Sequence, residues 1–351
     1  MKNLVIDKTA IKNNVGEVKL RAKGAEIIAD LAGDAYGMGL LETARILRDE
    51  GIMSFAIDDP RDAQTLRRAG FTEEKLMMLR STADAEELRQ LLDLGVIVTI
   101  GSYDAAVAVN GIAAEHSTVC EVQIKIDTGL GRYGFMPDEL DKVVSIYKYM
   151  PNLAVVGVFS AYAQSWCNKK LTMEQLDLFN DVLARLHAQG YETGLTHICD
   201  SAALFRYDSD GLGAVRVDSA FAGRVPGGNT PGLIKVGYIE ASVEEVGRFP
   251  KGHHVGGEIL KKSKRLAVLS VGYYHGFGVD RYENEMSFWK RLFYRRKRPV
   301  VKIDSQRVKL VGGIGMMYCV VDVDKAACQV GDVAVLDVDP VDVKGLERRY
   351  E

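Results

Sequence analysis

The sequence has no pair of cysteines spaced to hold a metal ion. Its five cysteines, Cys120, Cys167, Cys199, Cys319 and Cys328, are odd in number, far apart and without a C-x-x-C pair. This spacing predicts no metal site, and a disulfide framework is not expected in a chain of 351 residues. Buried, inert thiols in a reducing compartment are expected instead. Uncharged apolar runs long enough to span a bilayer are also missing. The opening stretch "MKNLVIDKTAIKNNV" carries charge throughout, with no apolar signal-peptide core, so a cytoplasmic location without a membrane partner is expected. Nor does one sign of charge dominate. A net charge of −3 gives no general reason to expect nucleic acid or an anionic membrane. One local exception is "KRLFYRRKRPVVK", Lys290 to Lys302, which is basic and interleaved with aromatics. It reads either as a solvated hairpin or insertion, or as a phosphate or membrane contact.

What is present is apolar residue in quantity, 47% of the chain, enough for a large core. The length allows two or three average domains, or one large barrel with a smaller partner. After an opening helix-like segment come eight short apolar runs: "AEIIADLA", "SFAID", "KLMMLR", "VIVTIGS", "VCEVQIKID", "LAVVGVFSAYA", "GLTHICDSA" and "GAVRVDSAFAG". Between them lie helical patterns such as "DAEELRQLLDLG", with apolar residues recurring at three and four, acids or Thr at the start and Gly at the end. Near-continuous apolar strands alternating with helices indicate a parallel sheet covered on its outer face. Eight such units in roughly 200 residues predict a closed (β/α)8 TIM barrel rather than an open doubly wound sheet. At "GRVPGGNTPG", Gly223 to Gly232, the pattern changes to strand-like runs separated by turn residues. A smaller, mainly antiparallel β domain is predicted there, giving a barrel over 1–230 and a β domain over 231–351.

In a barrel of this kind, chemistry sits at the carboxyl ends of the strands. Polar residues close several of the runs: Asp34, Lys125 with Asp127 and Arg132, His197 with Asp200 and Ser201, and Arg216 with Ser219. Singly, each is as readily a rim charge or a core histidine. Together, at the ends of different strands, they form a candidate site. The stretch "ADLAGDAYGMGL" has the glycine-spaced turn of such a site, yet Ala32 at its tip presents only a methyl group.

Six motifs in order resemble the alanine racemase family, the fold-type III enzymes that use pyridoxal 5'-phosphate. They are "DLAGDAYGMG", "IKIDTGLGRYGF", "THICDSAALF", "VRVDSAFAG", "SVGYYHGFG" and "GGIGMMYCVVDV", and the similarity covers essentially the whole chain. Shorter racemases of the alanine, ornithine or serine type share the "AQS" segment and brief C-terminal part. The resemblance implies roles. Tyr36 and Ser201 fall where the phosphate is held, Asp218 and Ser219 in the phosphate loop, and Arg216 at the pyridine nitrogen with His197 supporting it. An arginine there leaves that nitrogen unprotonated, because a guanidinium only donates. Arg132 falls where the cofactor's phenolic oxygen and the substrate are met, and Lys125 where a lysine orients that arginine. Tyr273 falls at the second acid/base, reaching the barrel of the other subunit of a homodimer, and a backbone group of Met316 at the substrate.

The departures from the family pattern are specific. Ala32 stands where the family has the lysine that forms the Schiff base and serves as one of two bases. No lysine occurs between Lys23 and Lys75 to replace it by a shift of register. Racemisation needs a proton removed from one face of a carbon and returned to the other, and Tyr273 serves only one face. Asp218 replaces the phosphate-loop glycine, Asp200 an asparagine, His275 an aspartate and Gly313 an arginine. Three readings follow. The chain has lost the racemase chemistry and keeps a pocket for a small amino acid or anionic ligand; or it is a racemase with a single inactivating lysine-to-alanine change; or it is a regulatory or scaffold dimer.

Overall fold

A computed structural model describes residues 2–207, 211–227, 230–279 and 299–351. The chain divides into two compact units, Lys12–Leu233 and Met1–Ile11 with Ile234–Glu351. The first strand, β1 (Lys2–Ile6), belongs to the second of these. It leads into the helix α1 (Lys8–Ala22), which enters the first.

The larger unit is a barrel of eight parallel strands. They are β2 (Glu26–Asp30), β3 (Ser54–Ile57), β4 (Lys75–Ser81), β5 (Val96–Ile100), β6 (Cys120–Lys125), β7 (Leu153–Phe159), β8 (Leu195–His197) and β9 (Ala214–Val217). Each coincides with one of the eight apolar runs, β4 extending one residue past its run to Ser81. Their order, β8-β7-β6-β5-β4-β3-β2-β9, puts sequence neighbours side by side, with β9 against β2. The ring is drawn together where Arg216 N donates to Cys199 O at 2.9 Å, just past β8. Runs such as "SFAI" and "VIVTI" are buried at every position, which is why they read as unbroken apolar segments. Helices enter the outer layer through side-chain caps: Asp59, Asp84, Ser102 and Asn168 each accept a backbone N–H of the first turn. A Cβ at Gly194, whose φ is +57°, would strike the Val156 carbonyl oxygen, so only glycine lets the chain enter β8 so close to β7. A cavity of about 160 Å³ lies among the amino ends of the strands, lined by Glu26, Ser54, Lys75 and Gln123 among others. That is the end of the barrel away from the loops carrying the polar motifs.

The second unit is a mainly antiparallel sheet built from β1 and the strands β10 (Tyr238–Phe249), β11 (His254–Val255), β12 (Glu258–Ile259), β13 (Lys264–Leu269), β14 (Val301–Ile303), β15 (Gln306–Leu310), β16 (Cys319–Asp322), β17 (Val333–Asp337) and β18 (Glu347–Tyr350). The long β10 pairs with β17 along its first half and with β13 along its second, with an irregularity between Val243 and Glu245. It thereby closes the order β13-β16-β15-β14-β17-β10 on itself, and β1 and β18 extend the sheet beyond β10. β11 and β12 form a separate two-stranded pair. The observed division falls at 233/234 rather than 230/231, and the first eleven residues, expected in the barrel, go with the β unit instead. The reason is pairing: β1 lies antiparallel to β10 and parallel to β18, and Leu4, Val5 and Ile6 are buried there.

Of the basic stretch 290–302, residues 290–298 lie outside the described residues, and Val301 and Lys302 belong to β14. Among the described residues, no helix is long and apolar enough to cross a membrane. No group of three or more His, Cys, Asp and Glu among them could hold a metal ion. Cys120, Cys199, Cys319 and Cys328 are buried, and Cys167 is half-buried.

Candidate active site

The carboxyl end of β2 opens into an unusual turn. Gly33, Asp34, Ala35 and Tyr36 all have positive φ, between 53° and 61°, so four successive residues take the left-handed helical conformation. For each non-glycine residue this costs about 1–2 kcal/mol. The turn is held by Ala35 N to Leu31 O at 2.8 Å and Gly37 N to Gly33 O at 3.0 Å, while Asp34 Oδ1 accepts Leu40 N at 2.8 Å. Ala32 stands at its start, and its backbone N–H donates to Asp30 Oδ1 at 3.0 Å. Tyr36 stands at its end, with its hydroxyl donating to Asp218 Oδ2 at 3.3 Å.

The loops after β8 and β9 meet this turn. Ser201 opens a short helix, Ser201–Tyr207, and is fully buried. Its Oγ accepts the backbone N–H of Asp218 at 2.9 Å and of Ala220 at 3.2 Å. The carboxylate of Asp218 accepts the N–H of Ser219 and, at 2.9 Å, the Ser219 hydroxyl. Asp200 caps the short helix through Ala203 N at 2.7 Å, and its other oxygen accepts Ser165 Oγ at 2.7 Å. Asp200 thus fixes the "AQS" segment to the loop after β8. Burial, reinforced by the charge of Asp218, raises its pKa to about 6.

Arg216 lies within β9, opposite Ile28 of β2. Its guanidinium is 3.4 Å from His197 Nδ1 and 5.6 Å over the Phe159 ring. His197 is fully buried, stacked on Phe159, and its Nε2 lies 2.9 Å from Gln123 Oε1. A neutral imidazole satisfies both neighbours: Nε2 donates to the amide oxygen and Nδ1 accepts from the guanidinium. Burial, and then the charge of Arg216, hold its pKa well below the usual value, in keeping with that state.

Across the barrel, the loop after β6 is organised by Asp127. Its carboxylate accepts Gly129 N at 2.9 Å, Leu130 N at 2.8 Å and Gly131 N at 2.9 Å. Burial works to raise its pKa, but these three N–H groups prevail and lower it. Lys125 is buried, and its Nζ donates to the backbone carbonyl of Arg132 at 3.0 Å, so it positions the loop at Arg132 rather than the guanidinium itself. The Arg132 side chain is exposed. Burial, with Arg216 and Arg132 nearby, lowers the Lys125 pKa to about 8.

Residues 6–224 match the family model for the alanine racemase N-terminal domain, and residues 236–346 the one for the alanine racemase C-terminal domain. The chain belongs to the alanine racemase family. It is similar to an alanine racemase of Carboxydothermus hydrogenoformans, 30% identical over 335 residues, covering 93% of this chain and 86% of that one. A Clostridium tetani alanine racemase is 29% identical over 342 residues, covering 94% and 84%. The alanine racemase of a D-cycloserine-producing Streptomyces lavendulae has the same fold, with a TM-score of 0.85 at 24% identity over 100% of this chain and 97% of that one. Pyridoxal 5'-phosphate is the cofactor that membership of the alanine racemase family implies.

Against that cofactor the barrel residues give a mixed fit. Arg216, held by His197, is a fixed donor inside the barrel. Position 32 has no amine, and the donors Tyr36 and Ser219 are already engaged by the Asp218 carboxylate. The β unit, by itself, brings Tyr273 and Met316 together: Tyr273 N donates to Gly315 O at 3.0 Å and Tyr274 N to Met316 O at 3.1 Å. Glycine is required at 272, where a Cβ would strike the carbonyl oxygens of Gly315 and Met316. Tyr273 and Met316 are both about half exposed, at 55% and 54%. His275 is a buried strut, its Nδ1 accepting Gly272 N at 3.2 Å and its Nε2 lying 3.1 Å from Lys2 Nζ. At Gly313 a Cβ would meet only Gly256 O at 3.6 Å, so nothing steric demands a glycine there.

One buried acid was not among the residues singled out from the sequence. Asp30 sits two residues before Ala32, almost fully buried, with its pKa raised to about 7 by burial against the opposing charge of Arg216. The signal was present: a carboxylate inside an otherwise apolar strand run is rare without a partner or a purpose.

Proposed function

We propose that this alanine racemase family member has a degenerate cofactor site and does not racemise amino acids at the family's rate, while its barrel mouth still receives a small amino acid or other small anion. The observation that carries the reading is Ala32. Its methyl group stands at the carboxyl end of β2 where the family resemblance calls for an amine. Lys125, on the other side of the mouth, donates its Nζ to the Arg132 carbonyl. Without a base on that face, proton transfer at a substrate carbon loses a contribution of about 10²–10⁴-fold. Asp218 and Asp200, with Asp30 in its ionised fraction, add negative charge beside Arg216, where a phosphorylated cofactor would bring more. On the β2–β9 side, at position 32 and at the phosphate loop, the residues present therefore do not fit that cofactor. Arg132 and Lys125 supply positive charge for a ligand carboxylate.

The proposal includes a C2 homodimer of cytoplasmic location, in which the exposed Tyr273 and Met316 of one copy meet the barrel mouth of another. Sedimentation showing only monomer at high concentration would contradict that part. The main reading is tested on the purified chain incubated with pyridoxal 5'-phosphate. We expect no absorbance band of a lysine-bound cofactor at the site and no interconversion of alanine enantiomers above the uncatalysed rate. A yellow protein that racemises alanine at a rate ordinary for an enzyme would overturn it.

A further inference from the structure

We propose that Asp218 is a specificity-determining residue: it fills an anion cradle at the barrel mouth with the chain's own carboxylate, so that the pocket refuses phosphate monoesters and takes unphosphorylated ligands. This rests on the degenerate-site reading above and deepens it by naming what is refused and which side chain refuses it.

Five hydrogen-bond donors converge where the turn after β2 meets the loops after β8 and β9. They are the Tyr36 hydroxyl, the Ser219 N–H and hydroxyl, and the backbone N–H groups of Asp218 and Ala220. Donors gathered in this way form a concavity suited to the oxygens of an anion. Here every one has an acceptor within the chain. Tyr36 donates to Asp218 Oδ2, and both Ser219 donors go to Asp218 Oδ1. The N–H groups of Asp218 and Ala220 both go to Ser201 Oγ. Tyr36 remains a donor, since burial and the adjacent Asp218 raise its pKa and keep its proton on.

A phosphate monoester entering this place has two obstacles. It must displace a carboxylate anchored by three donors, and it must then lie against that displaced charge. Asp200 and the ionised fraction of Asp30, both close enough to feel the charge of Asp218, add to the negative field, with Arg216 the opposing cation. An uncharged hydroxymethyl group escapes the second obstacle, and it need not displace the carboxylate, since its own hydroxyl can donate to Asp218.

The test measures equilibrium binding of pyridoxine, pyridoxine 5'-phosphate and inorganic phosphate by calorimetry. Pyridoxine carries no aldehyde, so surface lysines do not react with it. The full chain is compared with Asp218→Gly and with Asp218→Asn, which keeps the shape but removes the charge. Circular dichroism establishes that each variant is folded. For the unaltered chain, pyridoxine is expected to bind at least about tenfold more tightly than its phosphate ester, with no heat from inorganic phosphate. In Asp218→Gly the order should reverse, the ester gaining about 10²-fold, with a smaller gain in Asp218→Asn. Adding Tyr36→Phe to Asp218→Gly should remove part of that gain.

The inference is overturned if the unaltered chain binds the phosphate ester as tightly as pyridoxine or tighter. It is equally overturned if the folded variants show the unaltered preference, or if none of them binds any of the three probes. Tight binding of the ester without racemisation would defeat this inference and leave the degenerate-site reading standing. Racemisation by a chain that still prefers the unphosphorylated probe would do the reverse.

Discussion

The two sides of the barrel mouth differ in what their side chains hold. On the β6 side, "KIDTGLGRYGF" matches the family pattern closely, and its polar residues are tied to backbone: Asp127 to three N–H groups, Lys125 to the Arg132 carbonyl. On the β2–β9 side, Ala32 presents only a methyl group, and carboxylates stand at 30, 200 and 218. The Ala32 side chain is a methyl group, so no side-chain hydrogen bond of the fold depends on it. A residue that fixes a loop is costly to replace even when no ligand is present. A residue that serves only a bound group is not. Ala32, on which the proposed loss of chemistry rests, lies on the side where side chains answer to the ligand.

The largest effect that sharpens this contrast is catalytic. Installing Ala32→Lys together with Asp218→Gly, and supplying pyridoxal 5'-phosphate, should raise alanine racemisation by about 10²–10⁴-fold over the unaltered chain. Ala32→Lys alone should stay far below the double variant. If the single change already reaches the same rate, the β2–β9 side was intact apart from one side chain, and the contrast collapses.

Next in size is a loss of stability on the β6 side. Asp127→Ala leaves three N–H groups without their acceptor and should cost about 2–4 kcal/mol in urea unfolding. Ala32→Ser, on the other side, should change stability by less than about 1 kcal/mol. Equal costs would show that both sides are equally structural.

The third effect depends on pH. The folded-state pKa of Asp30 is raised to about 7, well above the ordinary carboxylate value, so the folded chain keeps a proton that the unfolded chain releases near pH 4. The stability from that proton is complete below about pH 4 and is lost as the pH rises through 7. Asp30→Asn cannot ionise. It should therefore unfold much like the unaltered chain at pH 4 and be more stable by about 2–4 kcal/mol at pH 8. A difference that does not grow with pH would contradict the assignment.

The smallest is Tyr36→Phe. It deletes one long hydrogen bond to Asp218 and should cost about 0.5–1.5 kcal/mol, seen as a modest fall in the thermal midpoint.

Much of the barrel was legible in the sequence because strands covered on both faces are apolar along their whole length. "SFAI" and "VIVTI" need no context to be read. β1 was not legible. "NLVI" is short, stands directly before a helix, and finds its neighbours in β10 and β18, near the other end of the chain, a relation that no local period encodes. The same distinction holds in the site. The methyl at 32 is visible in the letters, as is the carboxylate at 218. That Asp218 binds Tyr36 depends on the left-handed turn at 33–36, whose three non-glycine residues give no compositional warning. Asp200 reads in the sequence only as an added charge, and in the fold it is also a helix cap and an anchor for Ser165.

The position of β1 also sets an order of events during synthesis. Residues 12–233 contain every strand of the barrel, so that unit can close as soon as they have left the ribosome. β1 is made earlier than any of them, yet Asn3 pairs with Glu240 and Glu347, both made later. Until those residues are made, the apolar Leu4, Val5 and Ile6 lack both of their strand partners, and such a segment is prone to associate with other nascent chains. Contacts between residues so far apart in sequence carry a large closure entropy and form late. The β unit is therefore expected to complete after the barrel, and a chaperone that shields residues 1–7 should raise the yield of folded protein more than one that acts on the barrel.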